Sequence, residues 1–281
     1  MAICLLGFGS NLGDREEVVR AAIAEIDALP SVRVLRSSKL IATRPVGGPA
    51  DQPEFVNGAA VIETEMEPLE LLLELQRIEA RHGRQRLERW GARTLDIDLL
   101  LVDERVIETA TLTVPHPRMS FRRFVLEPSA EIAGEMIHPT IGWTISRLLN
   151  HLNGTSNLAA IVAPAAQLRR DLADALVEKF AAQVVEPPTT AQSESLWPTS
   201  LTIWLQFATG TAASASTTEM RTDPKLTLLL DAHSSLAYSK IAAERGRGPT
   251  LSIESQDWAA TRADVFAAIE AVWPRLGPKG G

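Results

Sequence analysis

One cysteine, Cys4, stands in 281 residues, so no intrachain disulfide can staple this fold. Its place in the first apolar run predicts a buried core thiol. No uninterrupted apolar stretch is long enough to span a bilayer, which excludes a transmembrane helix. The short apolar run at the amino terminus has no basic residues ahead of it, so it does not read as a signal peptide. A cytoplasmic protein is the expectation. Excess positive charge is missing as well: the formal net charge is −7, which argues against a general nucleic-acid binder. Hydrophobic content of 45% and charged content of 22% are those of a soluble globular protein, and the length allows one large or two modest domains.

Against that acidic background, one segment concentrates arginine. Arg84, Arg86, Arg89 and Arg93 surround Trp90 and Gly91 and precede Asp96 and Asp98. In a strand from Thr94 to Val102, Asp96 and Asp98 point to the same face. Two carboxylates side by side repel each other unless a cation lies between them. Oxygen-only ligands at this spacing suit Mg²⁺, which takes a few carboxylates together with substrate phosphates. The guanidinium forks match phosphate oxygens. Taken alone, Asp-x-Asp also fits a half-exposed strand, and an arginine-rich segment also fits a solvated loop. Their combination points to Mg-nucleotide chemistry.

The rest of the first half supplies a frame for that site. Ala2 to Phe8 is an apolar run ended by the turn cluster Gly9 to Asp14, and reads as a buried strand. Glu16 to Leu29 carries Val18, Val19, Ala22, Ile23, Ile26 and Leu29 at helical spacing, stopped by Pro30. Val32 to Thr43 predicts a second strand and Phe55 to Glu63 a third, with a Pro/Gly-rich loop from Arg44 to Pro49 between them. Pro68 opens a helix that runs to Arg81. With the aspartate strand this is β-α-β-β-α-β, the α+β ferredoxin-like order. RNA-recognition domains share that order but need exposed aromatics on the sheet, and these strands offer only Phe8 and Phe55. Short helices are expected over Phe121 to Glu127 and Trp143 to Leu152. Asn153 to Asn157 reads as a linker, which gives domains of 1–153 and 157–281.

Four motifs in order resemble the 6-hydroxymethyl-7,8-dihydropterin pyrophosphokinases of folate biosynthesis. They are Gly9-Ser10-Asn11-Leu12-Gly13-Asp14, Asp51-Gln52-Pro53-Glu54-Phe55-Val56-Asn57-Gly58, the run Arg89 to Asp98, and Val114-Pro115-His116-Pro117-Arg118-Met119. The resemblance covers about residues 2–152. It implies transfer of the pyrophosphoryl group of ATP to the pterin hydroxymethyl oxygen, with release of AMP. It also implies a role for each matching position. Asp96 and Asp98 would hold two Mg²⁺ ions. Arg84 and Arg93 would contact the phosphates from closing loops, with Arg86 an alternative to Arg84. Trp90 belongs either to the same loop or to local packing. Gln76 and Glu79 would face the nucleotide, opposite His116 and Arg122. Phe55 and Phe124 would sandwich the pterin, Asn57 would bind its edge, and backbone groups near Thr43 and Val46 would complete that edge. An inactive scaffold of the same fold is the rival reading. The presence of Asp96, Asp98, Arg84, Arg93, Asn57 and His116 together favours an enzyme.

The second half alternates strands and helices: Leu158 to Ala163, then Gln167 to Phe180, then Val184 to Pro187, and later Leu226 to Ala232 and Asp264 to Val272. That predicts an α/β layer. Glu186-Pro187, Leu230-Asp231-Ala232 and Arg245-Gly246-Arg247-Gly248 give it a resemblance to the deoxynucleoside kinases. A working phosphate loop needs Gly-x4-Gly-Lys-Ser/Thr, whereas the corresponding turn here is Ala163-Pro164-Ala165-Ala166-Gln167-Leu168. The resemblance therefore implies a degenerate P-loop-kinase-like module, either structural or forming a homodimer. An unrelated α/β domain with its own ligand, and a residual nucleoside-kinase activity, stay open. Thr209 to Thr222, rich in Ser, Thr and Ala, reads as a loop.

Overall fold

A computed structural model describes residues 1–49, 51–83, 91–154, 157–163, 165–185, 202–207, 224–230, 248–253 and 257–274. The chain divides into two compact units, Met1–Leu149 and Asn150–Gly281. No described helix is long and apolar enough to cross a membrane.

The first unit is built on an antiparallel sheet. Its strands are β1 (Ala2–Ser10), β2 (Val32–Ser37), β3 (Ile41–Thr43), β4 (Phe55–Thr64) and β5 (Asp96–Val102). The order is β2-β4-β1-β5, with β3 also paired to β4. Helices α1 (Arg15–Asp27) and α2 (Pro68–Arg81) complete the ferredoxin-like arrangement. Asp14 caps α1 by accepting the Glu17 N–H, and Pro68 opens α2, where its missing N–H costs nothing.

Strand alternation divides the sheet into two faces. Cys4, Leu6 and Phe8 of β1, Ala60 and Ile62 of β4, and Ile97 and Leu99 of β5 join Val19, Ala22, Ile26, Leu71, Leu75 and Ile78 of the two helices in one buried core. Burial pushes the Cys4 thiol up to about 12, so it is inert. Gly7 and Gly9 point the other way, in register with Asp98 and Asp96 on β5. Gly9 is also in register with Asn57 on β4.

Several boundaries differ from the sequence expectation. The stretch from Val32 to Thr43 is two strands rather than one. The Ser38 hydroxyl accepts the Ala59 N–H at 2.9 Å, so a side chain takes the place of a ladder carbonyl and the strand breaks. The strand with the aspartates begins at Asp96, not Thr94. The helix expected over Phe121 to Glu127 is a short 3₁₀ turn, Met119–Phe121, followed by α3 (Arg123–Ala133). Helix α3 continues through Pro128 because Val125, Leu126, Pro128, Ser129 and Ala133 are buried, and that packing outweighs the lost N–H. Strands β6 (Ile107–Glu108) and β7 (Thr113–Val114) form a small hairpin ahead of α3. Strands β8 (Ile137–His138) and β9 (Trp143–Thr144) form another. Trp143 therefore lies in a strand, and α4 (Ile145–Gly154) starts later because Thr144 Oγ1 accepts the Arg147 N–H at 3.2 Å.

The second unit holds an all-parallel sheet. Its strands are β10 (Leu158–Ala163), β11 (Gln183–Val185), β12 (Thr202–Phe207), β13 (Leu226–Leu230) and β14 (Thr250–Ile253), in the order β11-β12-β10-β13-β14. Helices α5 (Ala166–Phe180) and α6 (Trp258–Val272) belong to the same unit. Every residue of β10 is buried, as a central parallel strand requires. This is the α/β layer that the alternation predicts. Pro164, Glu186-Pro187, Thr209 to Thr222, Asp231-Ala232 and Arg245 to Arg247 lie outside the described residues.

Candidate functional site

The face of the sheet that carries the two glycines opens into a cleft of about 320 Å³. Phe8, Gly9, Phe55, Asn57, Arg93, Asp96 and Asp98 from the sheet and the segment before β5 line it. Thr43 at the end of β3 and Arg44, Val46 and Gly47 from the loop after it close one side. His116, Arg118, Arg122 and Phe124 from the segment leading into α3 close the other.

The acidic end of the cleft is organised by arginines. Arg93 Nη1 lies 2.6 Å from Asp96 Oδ2, a partly buried ion pair. Asn11 fixes that arginine's backbone: its Oδ1 accepts the Arg93 N–H at 2.7 Å, and its own N–H donates to the Arg93 carbonyl at 3.1 Å. The same Asn11 amide donates to Gln52 Oε1 at 3.4 Å and to the Pro53 carbonyl at 3.3 Å. One buried side chain thus ties the segments before β4 and before β5 together. Burial pushes the Arg122 pKa down to about 10, with Arg118 and Arg93 adding to the fall and Asp98 and Asp96 opposing it; the guanidinium stays charged at neutral pH.

His116 faces Asp98, with Nε2 3.9 Å from Oδ2. Its Nδ1 accepts the Arg118 N–H at 3.1 Å, so the single proton of the neutral ring sits on Nε2. Burial, then Arg122 and Arg118, push its pKa down to about 3. The imidazole presents an N–H to the cleft, not a lone pair.

The other end is aromatic and amide-lined. Asn57 is buried, and its Nδ2 donates to Thr43 Oγ1 at 2.7 Å, which fixes the amide's orientation. Phe55 and Phe124 both line the cleft, and the Arg122 guanidinium lies 5.4 Å from the centre of the Phe124 ring.

Of the residues singled out in the sequence, Thr43, Val46, Phe55, Asn57, Arg93, Asp96, Asp98, His116, Arg122 and Phe124 come together here. Arg84, Arg86 and Trp90 lie outside the described residues. Gln76 and Glu79 are not among the residues lining the cleft. Glu79 is buried, and its Oε1 accepts the Ile97 N–H at 2.7 Å. Arg44, Arg118, Gly9 and Asn11 were not assigned roles from the sequence. Arg118, Asn11 and Gly9 sit inside motifs that carry the resemblance, while Arg44 lies in the Pro/Gly-rich loop and has no such signal.

Asp96 and Asp98 form an oxygen-only pair on one strand face. Among the described residues, no group of three or more His, Cys, Asp or Glu could hold a metal ion. Two carboxylates without a third protein ligand fit Mg²⁺, which keeps water and takes substrate phosphates as its remaining ligands.

The family model described as 7,8-dihydro-6-hydroxymethylpterin-pyrophosphokinase matches residues 5–134. A 2-amino-4-hydroxy-6-hydroxymethyldihydropteridine pyrophosphokinase of Synechocystis sp. is 41% identical over 152 residues, which is 54% of this chain and 77% of that protein. The enzyme of the same name from Haemophilus influenzae is 45% identical over 139 residues, 50% of this chain and 86% of its own. That of Bacillus subtilis is 46% identical over 134 residues, 48% of this chain and 80% of its own.

Proposed function

This chain belongs to the 7,8-dihydro-6-hydroxymethylpterin-pyrophosphokinase family, and from that premise we propose how its cleft works. The chain is an ATP pyrophosphoryl transferase of folate biosynthesis: it joins the β- and γ-phosphates of ATP to the hydroxymethyl oxygen of 6-hydroxymethyl-7,8-dihydropterin and releases AMP. The observation that carries the site assignment is the convergence of an aspartate pair, four arginines and an aromatic-amide pocket in one cleft.

The hydroxymethyl oxygen attacks the β-phosphorus. The bond from that phosphorus to the oxygen bridging the α-phosphate breaks, and the hydroxyl proton leaves to solvent or a phosphate oxygen. Asp96 and Asp98 would hold Mg²⁺, two ions in this reading, whose charge offsets that of the phosphates and makes the hydroxyl more acidic. Arg93, Arg122 and His116 Nε2–H supply fixed donors where negative charge grows on the departing α-phosphate. His116 does not serve as the general base, since Nδ1 is occupied by the Arg118 N–H and Nε2 carries the proton. Phe55 and Phe124 hold the flat acceptor, and Asn57 pairs with its polar edge. Thr43 and Val46 complete that edge. Arg84 or Arg86, with Trp90, would close over the nucleotide.

The second unit fits a degenerate kinase-like module. Its turn after β10 has no glycine and no lysine, and Arg169, buried, donates from Nη1 to the Ala163 carbonyl at the end of that strand. We read it as a module without a working phosphate loop, structural or dimerising in role. Titration of the full chain with Mg-ATP should show one nucleotide site, and a second site of micromolar affinity would overturn it.

Product analysis tests the main assignment. Purified protein with ATP, Mg²⁺ and the hydroxymethyl dihydropterin should yield AMP and pterin diphosphate together, and only with Mg²⁺. ADP as product would point to ordinary kinase chemistry. Intact ATP binding without turnover would point to a scaffold.

A further inference from the structure

We propose that Gly9 sets the room in which the acceptor's reacting arm meets the phosphate, and so acts as a specificity-determining position; this rests on the pyrophosphokinase reading above. Gly9 lies in the middle strand of three. Its partner on β4 is Asn57 and its partner on β5 is Asp96. Residues in register on neighbouring antiparallel strands share a face. Asn57, Gly9 and Asp96 therefore form a row across the floor of the cleft, from the amide end to the carboxylate end. The pterin edge belongs at one end of that row and the phosphates at the other. The reacting arm has to cross the middle, and the middle residue has no side chain.

The space is tight enough for that absence to matter. A Cβ built on Gly9 would lie 3.3 Å from Asn57 Oδ1, 3.8 Å from the Phe55 ring and 3.9 Å from Asp96 Cβ. It would touch the amide end, the aromatic wall and the carboxylate end at once. The Asn57 amide is already held by Thr43 Oγ1 at 2.7 Å, so it cannot retreat without breaking that bond. An added methyl must therefore displace the acceptor or Asn57. Reacting groups misplaced by about 1 Å can lose on the order of 100-fold in rate.

The backbone does not demand glycine here. Gly9 is absent from the positive-φ residues, and strand interiors favour residues with a side chain over glycine. Gly13, at φ 69° in the turn that follows, is by contrast a position whose backbone favours glycine.

The test is Gly9→Ala, with Gly9→Ser as a larger intrusion, in the full chain. Binding of the hydroxymethyl dihydropterin is measured by calorimetry with a non-hydrolysable ATP analogue and Mg²⁺ present. Nucleotide binding, turnover and the thermal midpoint are measured alongside. Expected results are acceptor affinity or turnover lowered by at least about 10-fold in Gly9→Ala and further in Gly9→Ser, nucleotide affinity within about 2-fold, and a thermal midpoint that does not fall. Wild-type acceptor binding and turnover in Gly9→Ala would overturn the proposal. So would equal losses for acceptor and nucleotide, or a loss accompanied by unfolding. A wild-type protein that neither binds the pterin nor forms AMP would instead overturn the function on which it rests, so the two failures are separable.

Discussion

Glu79 accepts the backbone N–H of Ile97 at 2.7 Å, from a buried position on α2. Ile97 lies between Asp96 and Asp98 on β5, and β5 is the edge strand of its sheet. An edge strand presents N–H groups that no neighbouring strand accepts. The carboxylate fills that place and so fixes the peptide that aims both aspartates. The family resemblance implies a nucleotide-facing position for Glu79. In the fold, one carboxylate oxygen is engaged by the strand.

Glu79→Ala should therefore lower stability by about 1–3 kcal/mol, the usual cost of a buried donor left unpaired, and lower turnover with it. Glu79→Gln keeps an acceptor oxygen and should restore most of both. Urea denaturation and an AMP-forming assay on the same preparations check this. Unchanged stability with weakened ATP binding would return the carboxylate to the nucleotide.

Asp98→Ala should reduce turnover by at least about 100-fold at saturating substrates, the scale for losing one electrostatic stabiliser. The loss should persist at high Mg²⁺, because the ligand itself is gone. Near-normal turnover in that variant would refute the metal assignment.

Phe124→Ala should weaken pterin binding more than ATP binding. Its ring lines the cleft beside Arg122 rather than lying in the core formed with α1 and α2. Separate titrations with each ligand decide it, and equal losses for both would make the ring a packing residue only.

Acid should destabilise the first unit through His138, which is buried, and His116, which is partly buried. Burial pushes the His138 pKa down to about 4, against about 6.5 in the unfolded chain. Between those values the unfolded chain binds a proton that the folded chain refuses. Stability therefore rises with pH across that window and is lost as pH falls through it. His116, pushed down to about 3, acts in the same direction. The His138 contribution is on the order of 2–3 kcal/mol between pH 6.5 and pH 4. Denaturation of the full chain at pH 7, 5 and 4 should show the slope, and His138→Gln should flatten it. An unchanged slope would mean that the ring is already protonated in the fold.

Local pattern carried much of this molecule. Hydrophobic pattern located α1, α2, β1 and β4 to within about two residues: the helices bury one face at helical period, and the two strands are apolar runs buried along nearly their whole length. It also placed Asp96 and Asp98 side by side, since alternation on a strand is a local rule. Tertiary structure decided what depends on groups distant in sequence. The break at Ser38 needs a bond to β4. The run of α3 past Pro128 needs a buried face. The roles of Asn11, Glu79 and Gly9 come from partners on other elements, Arg93, Ile97, and Asn57 with Asp96, and no pattern along one strand or helix records which element will lie alongside.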